Sequence, residues 1–236
     1  MKKQIRETYK ANQWAFTLIE LLTVIAVIGV LAALLFPAFA TVKKHALIQR
    51  AQTEMGKIEA ALESYKSAYG FYPPDNTNNA LVNPLYYELL GTTNNGGTYQ
   101  TLDGSASINA DTNIVSQAFN GSISGFINCN RANEDESARP AKNFLPELKS
   151  NQLGWVTNPP SPGGTTPVAV LLTSVGGPDA SYKPLGAQDL NPWRYNSHSP
   201  TNNPGAYDLW VQLVIGGKTN LICNWRKQVQ INNPLP

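Results

Sequence analysis

One carboxylate stands at the beginning of the most apolar stretch of the chain. Glu20 is followed by Leu21–Val42, 22 residues without a charged side chain. An unpaired carboxylate costs about 2.5–3.5 kcal/mol at the centre of a bilayer and less near its edge. The chemistry that this position favours is therefore the pairing of a carboxylate with a positive group, such as an amine.

Residue sets for catalysis are missing from the sequence. It has two histidines, His45 beside the apolar stretch and His198 in a Ser/Pro/Asn-rich segment, and we expect both to be solvated. It contains no Gly-x-Ser-x-Gly, no His-Glu-x-x-His and no phosphate-binding glycine loop. The acidic run Glu134–Glu136 is expected to be a solvated loop rather than a cation site. We therefore predict no enzymatic activity, no metal and no cofactor.

The two cysteines, Cys129 and Cys223, both follow the apolar stretch. Two cysteines cannot form a zinc site by themselves, and no C-x-x-C spacing exists. In an oxidising compartment they could form a disulfide, whereas buried free thiols pack as small hydrophobic groups. The sequence leaves both alternatives open.

The apolar stretch has the length and flanks of a membrane helix. Its 22 residues would extend about 33 Å as a helix, enough to cross a bilayer core. The net charge of +2 comes from the first 15 residues, so the remainder offers no basic surface for nucleic acid. A basic segment before an apolar span predicts a cytoplasmic N-terminus and an exported remainder. The basic residues concerned are Lys2, Lys3, Arg6 and Lys10.

The helical pattern continues beyond the apolar stretch. Apolar residues recur every three or four positions between residues 47 and 69, with charged residues on the other faces. Gly70 is placed to end the helix, and Pro73-Pro74 prevents its continuation. The sequence predicts one helix from Phe16 to Tyr69. The apolar stripe consists of Leu47, Ala51, Met55, Ile58, Leu62, Tyr65 and Tyr69.

The rest of the chain is predicted to form an α+β head. Strand candidates are Ser122–Ile127 and Val168–Thr173. A hairpin with one buried face is predicted from Tyr207–Ile215 and Thr219–Trp225, which flank Gly216-Gly217-Lys218. Loops are predicted at residues 76–79, 91–98 and 158–167. The simplest arrangement packs the second half of the helix on a small antiparallel sheet with long loops.

The N-terminal residues resemble a known family, the type IV pilins and the pseudopilins of type II secretion systems. The resemblance rests on Phe16-Thr17-Leu18-Ile19-Glu20 and on Gly29 and Pro37 in the apolar helix, and it covers about residues 1–75. It implies that a prepilin peptidase cuts between Ala15 and Phe16 and N-methylates the new amine. The residue before the cut is usually Gly in the family and is Ala15 here.

The resemblance also implies an assembly mechanism and a domain order. Glu20 would meet the Phe16 amine of a neighbouring subunit, while Thr17, Gly29 and Pro37 would act in helix packing and bending. The implied order is a leader (1–15), a transmembrane and polymerisation half-helix (16–42), an amphipathic half-helix (43–70) and a globular head (71–236). The implied partners are further copies, minor pilins or pseudopilins, the peptidase and an inner-membrane assembly platform. The subunit would start in the inner membrane with its head in the periplasm and end in a filament.

The C-terminal part is similar, more loosely, to the major pseudopilin of type II secretion. The similar segments are Tyr72-Pro73, residues 189–195, Tyr207-Asp208-Leu209 and residues 222–225. In that relative, acidic residues after the Tyr-Asp-Leu strand hold calcium. Here the corresponding loop, residues 216–220, has a lysine and no carboxylate, so the calcium site is expected to be absent.

Two other interpretations of the N-terminus remain. Ala38-Phe39-Ala40 fits the cleavage pattern of a secretory signal peptide. Alternatively, the apolar helix is a plain signal anchor that carries a periplasmic module for carbohydrate binding or adhesion. The aromatic face of such a module would use Trp155, Trp193, Trp210 and Trp225, although tryptophans also serve as core residues.

Overall fold

The computed structural model describes residues 17–131, 139–157, 166–176 and 191–232, and it leaves out the side chains of residues 34–38 and 40. The chain divides into two compact units, Met1–His45 and Ala46–Pro236. Helix α1, Leu18–Tyr69, contributes its first part to the first unit and its last part to the second. The long helix predicted from the sequence is therefore present.

In the first unit, α1 exposes most of its apolar side chains. Leu18, Ile25 and Val30 each expose more than half of their surface. Within the side chains that the structure describes, no helix is long and apolar enough to cross a bilayer.

In the second unit, α1 buries the stripe predicted from its periodicity. Ala51, Ile58, Leu62 and Tyr65 are buried, and the stripe's other members pack partly buried against the same core. The helix ends where expected: Gly70 adopts a positive φ of 87°, and its N–H donates to Lys66 O at 2.7 Å. Glycine takes this conformation without the steric penalty of a Cβ.

The strands of the described residues form three sheets rather than the one sheet predicted. Two sheets have four strands, in the orders β3-β2-β1-β4 and β10-β9-β8-β7, and β5 pairs with β6. The β1–β4 pair is parallel, whereas all other pairs are antiparallel. The strands are β1 (Thr92–Asn94), β2 (Thr98–Thr101), β3 (Ser107–Asn109), β4 (Cys129–Arg131), β5 (Leu153–Thr157), β6 (Pro167–Leu171), β7 (Arg194–Asn196), β8 (Asp208–Ile215), β9 (Lys218–Cys223) and β10 (Arg226–Ile231).

Three short helical segments complete the described part of the second unit. They are α2 (Leu85–Leu90), α3 (Thr112–Ala118) and a single 3₁₀ turn (Ser150–Gln152). Every residue of α2 is buried, including its one acidic residue, Glu88. The α+β class predicted from the sequence is thus confirmed.

The C-terminal hairpin is present as β8 and β9. Its turn uses Gly216 (φ 59°) and Gly217 (φ 72°), and positive φ at both central residues is the geometry of a type I′ turn. The prediction of a single buried face was wrong. Trp210, on the other face of β8, packs in a second buried cluster with Leu221 and Cys223, so the strand is covered on both sides.

Two predicted elements differ from the structure. Residues 91–98 contain β1 and the start of β2 instead of a plain loop. Ser122–Ile127 is not a strand, because its backbone and side-chain groups contact the α2 region instead of a neighbouring strand. Ile127 N–H donates to the Glu88 side chain at 2.8 Å, and Phe126 stacks on Tyr87 with ring centroids 4.5 Å apart.

Gly91, directly after α2, is predicted to tolerate no side chain. It has a φ of 71°, and a Cβ there would lie 2.9 Å from the backbone oxygen of Lys142. Gly205 has a similar φ of 82° but open space around it, so Gly205→Ala measures the conformational strain alone. We expect Gly91→Ala to lower the free energy of unfolding by about 1–3 kcal/mol more than Gly205→Ala. Equal losses in urea denaturation of the two variants would contradict the steric argument.

Candidate functional site

Glu20 belongs to a capping box at the beginning of α1. Thr17 N–H and Thr17 Oγ1 donate to Glu20 Oε2 at 2.9 and 2.7 Å, and Glu20 N–H donates back to Thr17 Oγ1 at 3.3 Å. The reciprocal pair satisfies amide groups that have no partner within a helix. The Thr-x-x-Glu spacing is the sequence signature of this cap, although the cap was not among the features predicted from the sequence.

The cap leaves half of the carboxylate available. Both donors of Thr17 reach Oε2, and no described residue donates to Oε1. Thr17 and Glu20 are both exposed, so the oxygen is open to a group from outside the chain. Chemically, the arrangement presents a fixed anionic acceptor at the N-terminal end of an exposed apolar helix.

The structure describes some of the other predicted processing and assembly residues and leaves out the rest. Ala15 and Phe16 lie outside the described residues. Gly29 lies in α1, where a Cβ would meet nothing within 4 Å in the single chain. The helix is continuous through position 37, where the sequence predicted that Pro37 permits bending.

The structure holds Cys129 and Cys223 as buried thiols that are not joined to each other. Cys129 lies in β4 and Cys223 in β9, so they belong to different sheets. Burial raises the pKa of the Cys223 thiol. This arrangement corresponds to the alternative of two packed thiols.

The remaining polar candidates lie apart from Glu20 in the sequence. His45 and His198 are exposed, and the His198 backbone N–H donates to Asp75. The loop at residues 216–220 is the type I′ turn between β8 and β9. The acidic run Glu134–Glu136 lies outside the described residues.

The four tryptophans do not form one exposed aromatic face. Trp193 is completely buried, and Trp210 is nearly so, with its ring centroid 5.9 Å from that of Trp225. Trp155 in β5 is 42 % exposed. Two of the four residues therefore serve as core residues and are unavailable for stacking on a sugar.

Glu88, a completely buried carboxylate in α2, was not among the residues predicted from the sequence. Its side chain accepts hydrogen bonds from Tyr65 Oη at 2.9 Å, Ile127 N–H at 2.8 Å and Asn128 N–H at 3.0 Å. Burial raises the pKa of Glu88, while the three donors act in the opposite direction. The signal in the sequence for a buried carboxylate was one acidic residue within the otherwise apolar and aromatic run Leu85–Leu90. The group holds α1, α2 and the segment before β4 together.

Asn128 extends this buried network. Its side-chain amide donates to Glu88 O and to Lys142 O, both at 2.7 Å. Its side-chain oxygen accepts from Tyr69 Oη and from Lys142 N–H, both at 2.8 Å. Glu88 and Asn128 together form a structural centre of the head, a network of buried hydrogen bonds.

Comparison with known proteins finds a family match that includes the beginning of α1. The model of a family described as the prokaryotic N-terminal methylation motif matches residues 11–36. This range contains the predicted cleavage position, the capping box, Gly29 and most of the apolar stretch. No solved structure matches the chain significantly.

Several curated proteins are similar to part of the chain. Fimbrial protein EcpB of Eikenella corrodens is 34 % identical over 101 residues, which are 42 % of this chain and 64 % of the relative. Type IV major pilin protein PilE of Neisseria gonorrhoeae is 38 % identical over 65 residues, 28 % of this chain and 39 % of the relative.

A secretion protein is similar over the same length. Type II secretion system core protein G of Escherichia coli is 41 % identical over 65 residues, 28 % of this chain and 45 % of the relative. The chain thus spans less than two thirds of the length of each of these three relatives. The resemblance seen in the sequence is confirmed: residues 11–36 match the prokaryotic N-terminal methylation motif, and part of the chain is similar to type IV pilins and to a type II secretion system core protein.

Proposed function

We propose that this protein is a structural subunit of a filament, either a type IV pilus or a type II secretion pseudopilus. The leader, residues 1–15, is removed between Ala15 and Phe16, and the new amine of Phe16 is methylated. The match to the methylation motif over residues 11–36 supports this processing. The relatives include pilins and a secretion protein, so the proposal is the function that both classes share.

The proposal rests on the carboxylate of Glu20, of which only one oxygen accepts hydrogen bonds from described residues. Thr17 fixes Oε2 and leaves Oε1 without a described donor. The Phe16 amine of a neighbouring subunit supplies a positive partner that exists only after cleavage. In an apolar helix bundle, the pair relieves a desolvation penalty that each charge alone would suffer. Processing is therefore a precondition for assembly.

The exposed apolar side chains of α1 support the proposal that lipid or other helices cover this helix when the protein functions. Monomeric soluble proteins rarely expose continuous apolar patches of this kind. We infer that lipid covers residues 16–42 before assembly and that copies of the same helix cover them afterwards. Minor pilins or pseudopilins, the prepilin peptidase and an inner-membrane assembly platform are the further partners, and the head is carried on the periplasmic side.

Mass spectrometry of the N-terminus tests the proposal. We expect protein purified from its native host to begin with N-methylated Phe16. Ala15→Gly should be processed at least as completely, because it restores the smaller residue at the cut, whereas Ala15→Leu should retain Met1. A wild-type N-terminus at Thr41 would show a signal peptide, and a wild-type N-terminus at Met1 would show a plain anchor. Either result would overturn the proposal.

A further inference from the structure

The connection between β1 and β2 contains an Asn-Gly pair, Asn95-Gly96. Asn95, Gly96 and Gly97 lie between the two strands, and all three are exposed. Because glycine has no side chain, nothing on Gly96 hinders the approach of its backbone nitrogen to the asparagine side chain. The pair therefore places an amide carbon next to an unhindered backbone nitrogen in a solvent-exposed turn.

The chemistry open to such a pair is loss of the side-chain amide, and asparagine is among the thermolabile residues for this reason. The Gly96 nitrogen, after losing its proton, attacks Cγ of Asn95, and the Cγ–Nδ2 bond breaks with release of ammonia. Water then opens the resulting succinimide ring at either carbonyl carbon. One opening gives aspartate, and the other gives isoaspartate, whose main chain runs through the side-chain carbon. Water is the only co-reactant, and nothing is oxidised or reduced.

Few contacts hold Asn95-Gly96 in place. Among the residues that the structure describes, none hydrogen-bonds to the Asn95 side chain, so Cγ is free to rotate toward the next nitrogen. Gly96 N–H donates to the Asn94 side-chain oxygen at 3.1 Å, and Asn95 N–H donates to Thr98 O at a long 3.4 Å. Exposed local bonds of this kind open readily. The attacking nitrogen is thus restrained by one exposed side chain.

A second Asn-Gly pair, Asn120-Gly121, follows α3 and supplies an internal comparison. It is exposed as well, but its backbone is held more firmly. Gly121 N–H donates to Ser116 O at 2.7 Å, and Asn120 N–H donates to Gln117 O at 3.3 Å. Asn78 Nδ2 also donates to Asn120 O at 2.9 Å. The nitrogen that would attack is engaged with a main-chain carbonyl, and breaking that bond adds to the barrier.

We propose that Asn95 is a modification site at which the side-chain amide is lost to water, giving aspartate and isoaspartate in the β1–β2 turn. The hydrogen bond from Gly96 N–H to Asn94 restrains this conversion, whereas the fold protects Asn120 in the same head. The proposal is independent of filament formation, since it concerns residues of the head alone.

The modification changes the sheet to which the turn belongs. Either product adds a negative charge to the exposed turn. Isoaspartate also adds one carbon to the main chain between two paired strands, whose register depends on turn geometry. Gly97 O accepts from Ala110 N–H at 3.0 Å, so the turn also contacts the residue after β3. We expect the isoaspartate form to unfold at lower urea concentration than Asn95→Asp, which has the same charge on a normal main chain.

Incubation of the full chain in detergent micelles at mildly alkaline pH, in water enriched in heavy oxygen, tests the proposal. Peptide mass spectrometry with electron-transfer fragmentation locates the product and distinguishes isoaspartate from aspartate. Asn95 should convert at least about tenfold faster than Asn120, which corresponds to about 1.4 kcal/mol in activation free energy. In urea, where the fold is lost, the two pairs should convert at similar rates.

Three variants complete the test. Asn94→Ala removes the acceptor of Gly96 N–H and should accelerate conversion of Asn95 about twofold or more. Asn196→Ala removes a similar local acceptor elsewhere, that of Ser199 N–H, and should leave the rate unchanged. Asn95→Gln should abolish the product at this position, because a glutamine would have to close a larger ring.

Four results would overturn the proposal. In the folded protein these are equal conversion of Asn95 and Asn120, or retention of both amides while the unfolded chain loses them. Aspartate without isoaspartate would show direct hydrolysis instead of ring closure. An unchanged rate in Asn94→Ala would show that this hydrogen bond does not restrain the attacking nitrogen.

Discussion

Replacing Glu20 by Gln is expected to leave the protein folded and inserted in the membrane but to reduce filament assembly at least about tenfold. Gln retains a side-chain oxygen that can accept from Thr17, so the helix cap persists. It removes the charge that would pair with the Phe16 amine of the next subunit. Sheared surface filaments and membrane fractions, quantified by immunoblot, measure the two pools.

Two further variants separate charge from capping. Thr17→Val removes the hydroxyl of the cap and retains the carboxylate, so it should lower helix stability by about 1 kcal/mol and reduce assembly less than Glu20→Gln. Glu147→Gln removes an exposed charge on the head and should assemble normally. Normal filaments from Glu20→Gln, or a larger defect from Thr17→Val, would refute the pairing of Glu20 with an amine.

Replacing Glu88 by Ala is expected to destabilise the head by about 3 kcal/mol or more. The substitution leaves Tyr65 Oη, Ile127 N–H and Asn128 N–H without their acceptor inside the core, and each buried donor without a partner costs about 1–3 kcal/mol. It also opens a cavity beside α2. Urea denaturation of the full chain in detergent, followed by tryptophan fluorescence, measures the loss.

Graded substitutions identify the cause of that loss. Tyr65→Phe removes one donor and leaves the acceptor with two, so it should cost less than Glu88→Ala. Glu147→Ala, at an exposed carboxylate, should change stability by no more than about 0.5 kcal/mol. If Glu88→Ala were as mild as Glu147→Ala, the buried network would not be a structural centre.

The pH dependence of stability gives an independent check on Glu88. Because burial raises its pKa, the folded protein holds this proton more tightly than the unfolded chain does. Its contribution to stability is therefore greatest below the ordinary glutamate pKa of about 4.3 and falls as the pH rises through the raised folded value. The stability of wild type minus that of Glu88→Gln should accordingly decrease with rising pH. A constant or increasing difference would contradict the direction of the shift.

Features that depend on the order of a few neighbouring residues, or on the regular spacing of apolar residues, could be predicted from the sequence. The order Phe-Thr-Leu-Ile-Glu identified the motif, the three-to-four spacing predicted the buried stripe of α1, and Gly70 predicted its end. The segment Gly216-Gly217-Lys218 predicted a turn between β8 and β9, and the structure narrows this turn to the two glycines. Each of these depends on residues within one or two turns of each other, so neighbouring side chains and backbone preferences decide them.

The sequence predicted an apolar helix with a carboxylate near its start, and it predicted that this helix ends at Gly70. Tertiary structure alone decided that Glu88 meets Ile127 and that Asp75 meets Ser197. It also decided the three sheets and the parallel pairing of β1 with β4. These contacts join residues far apart in the chain, and their free energy depends on burial and hydrogen bonding that arise only when the whole head has folded.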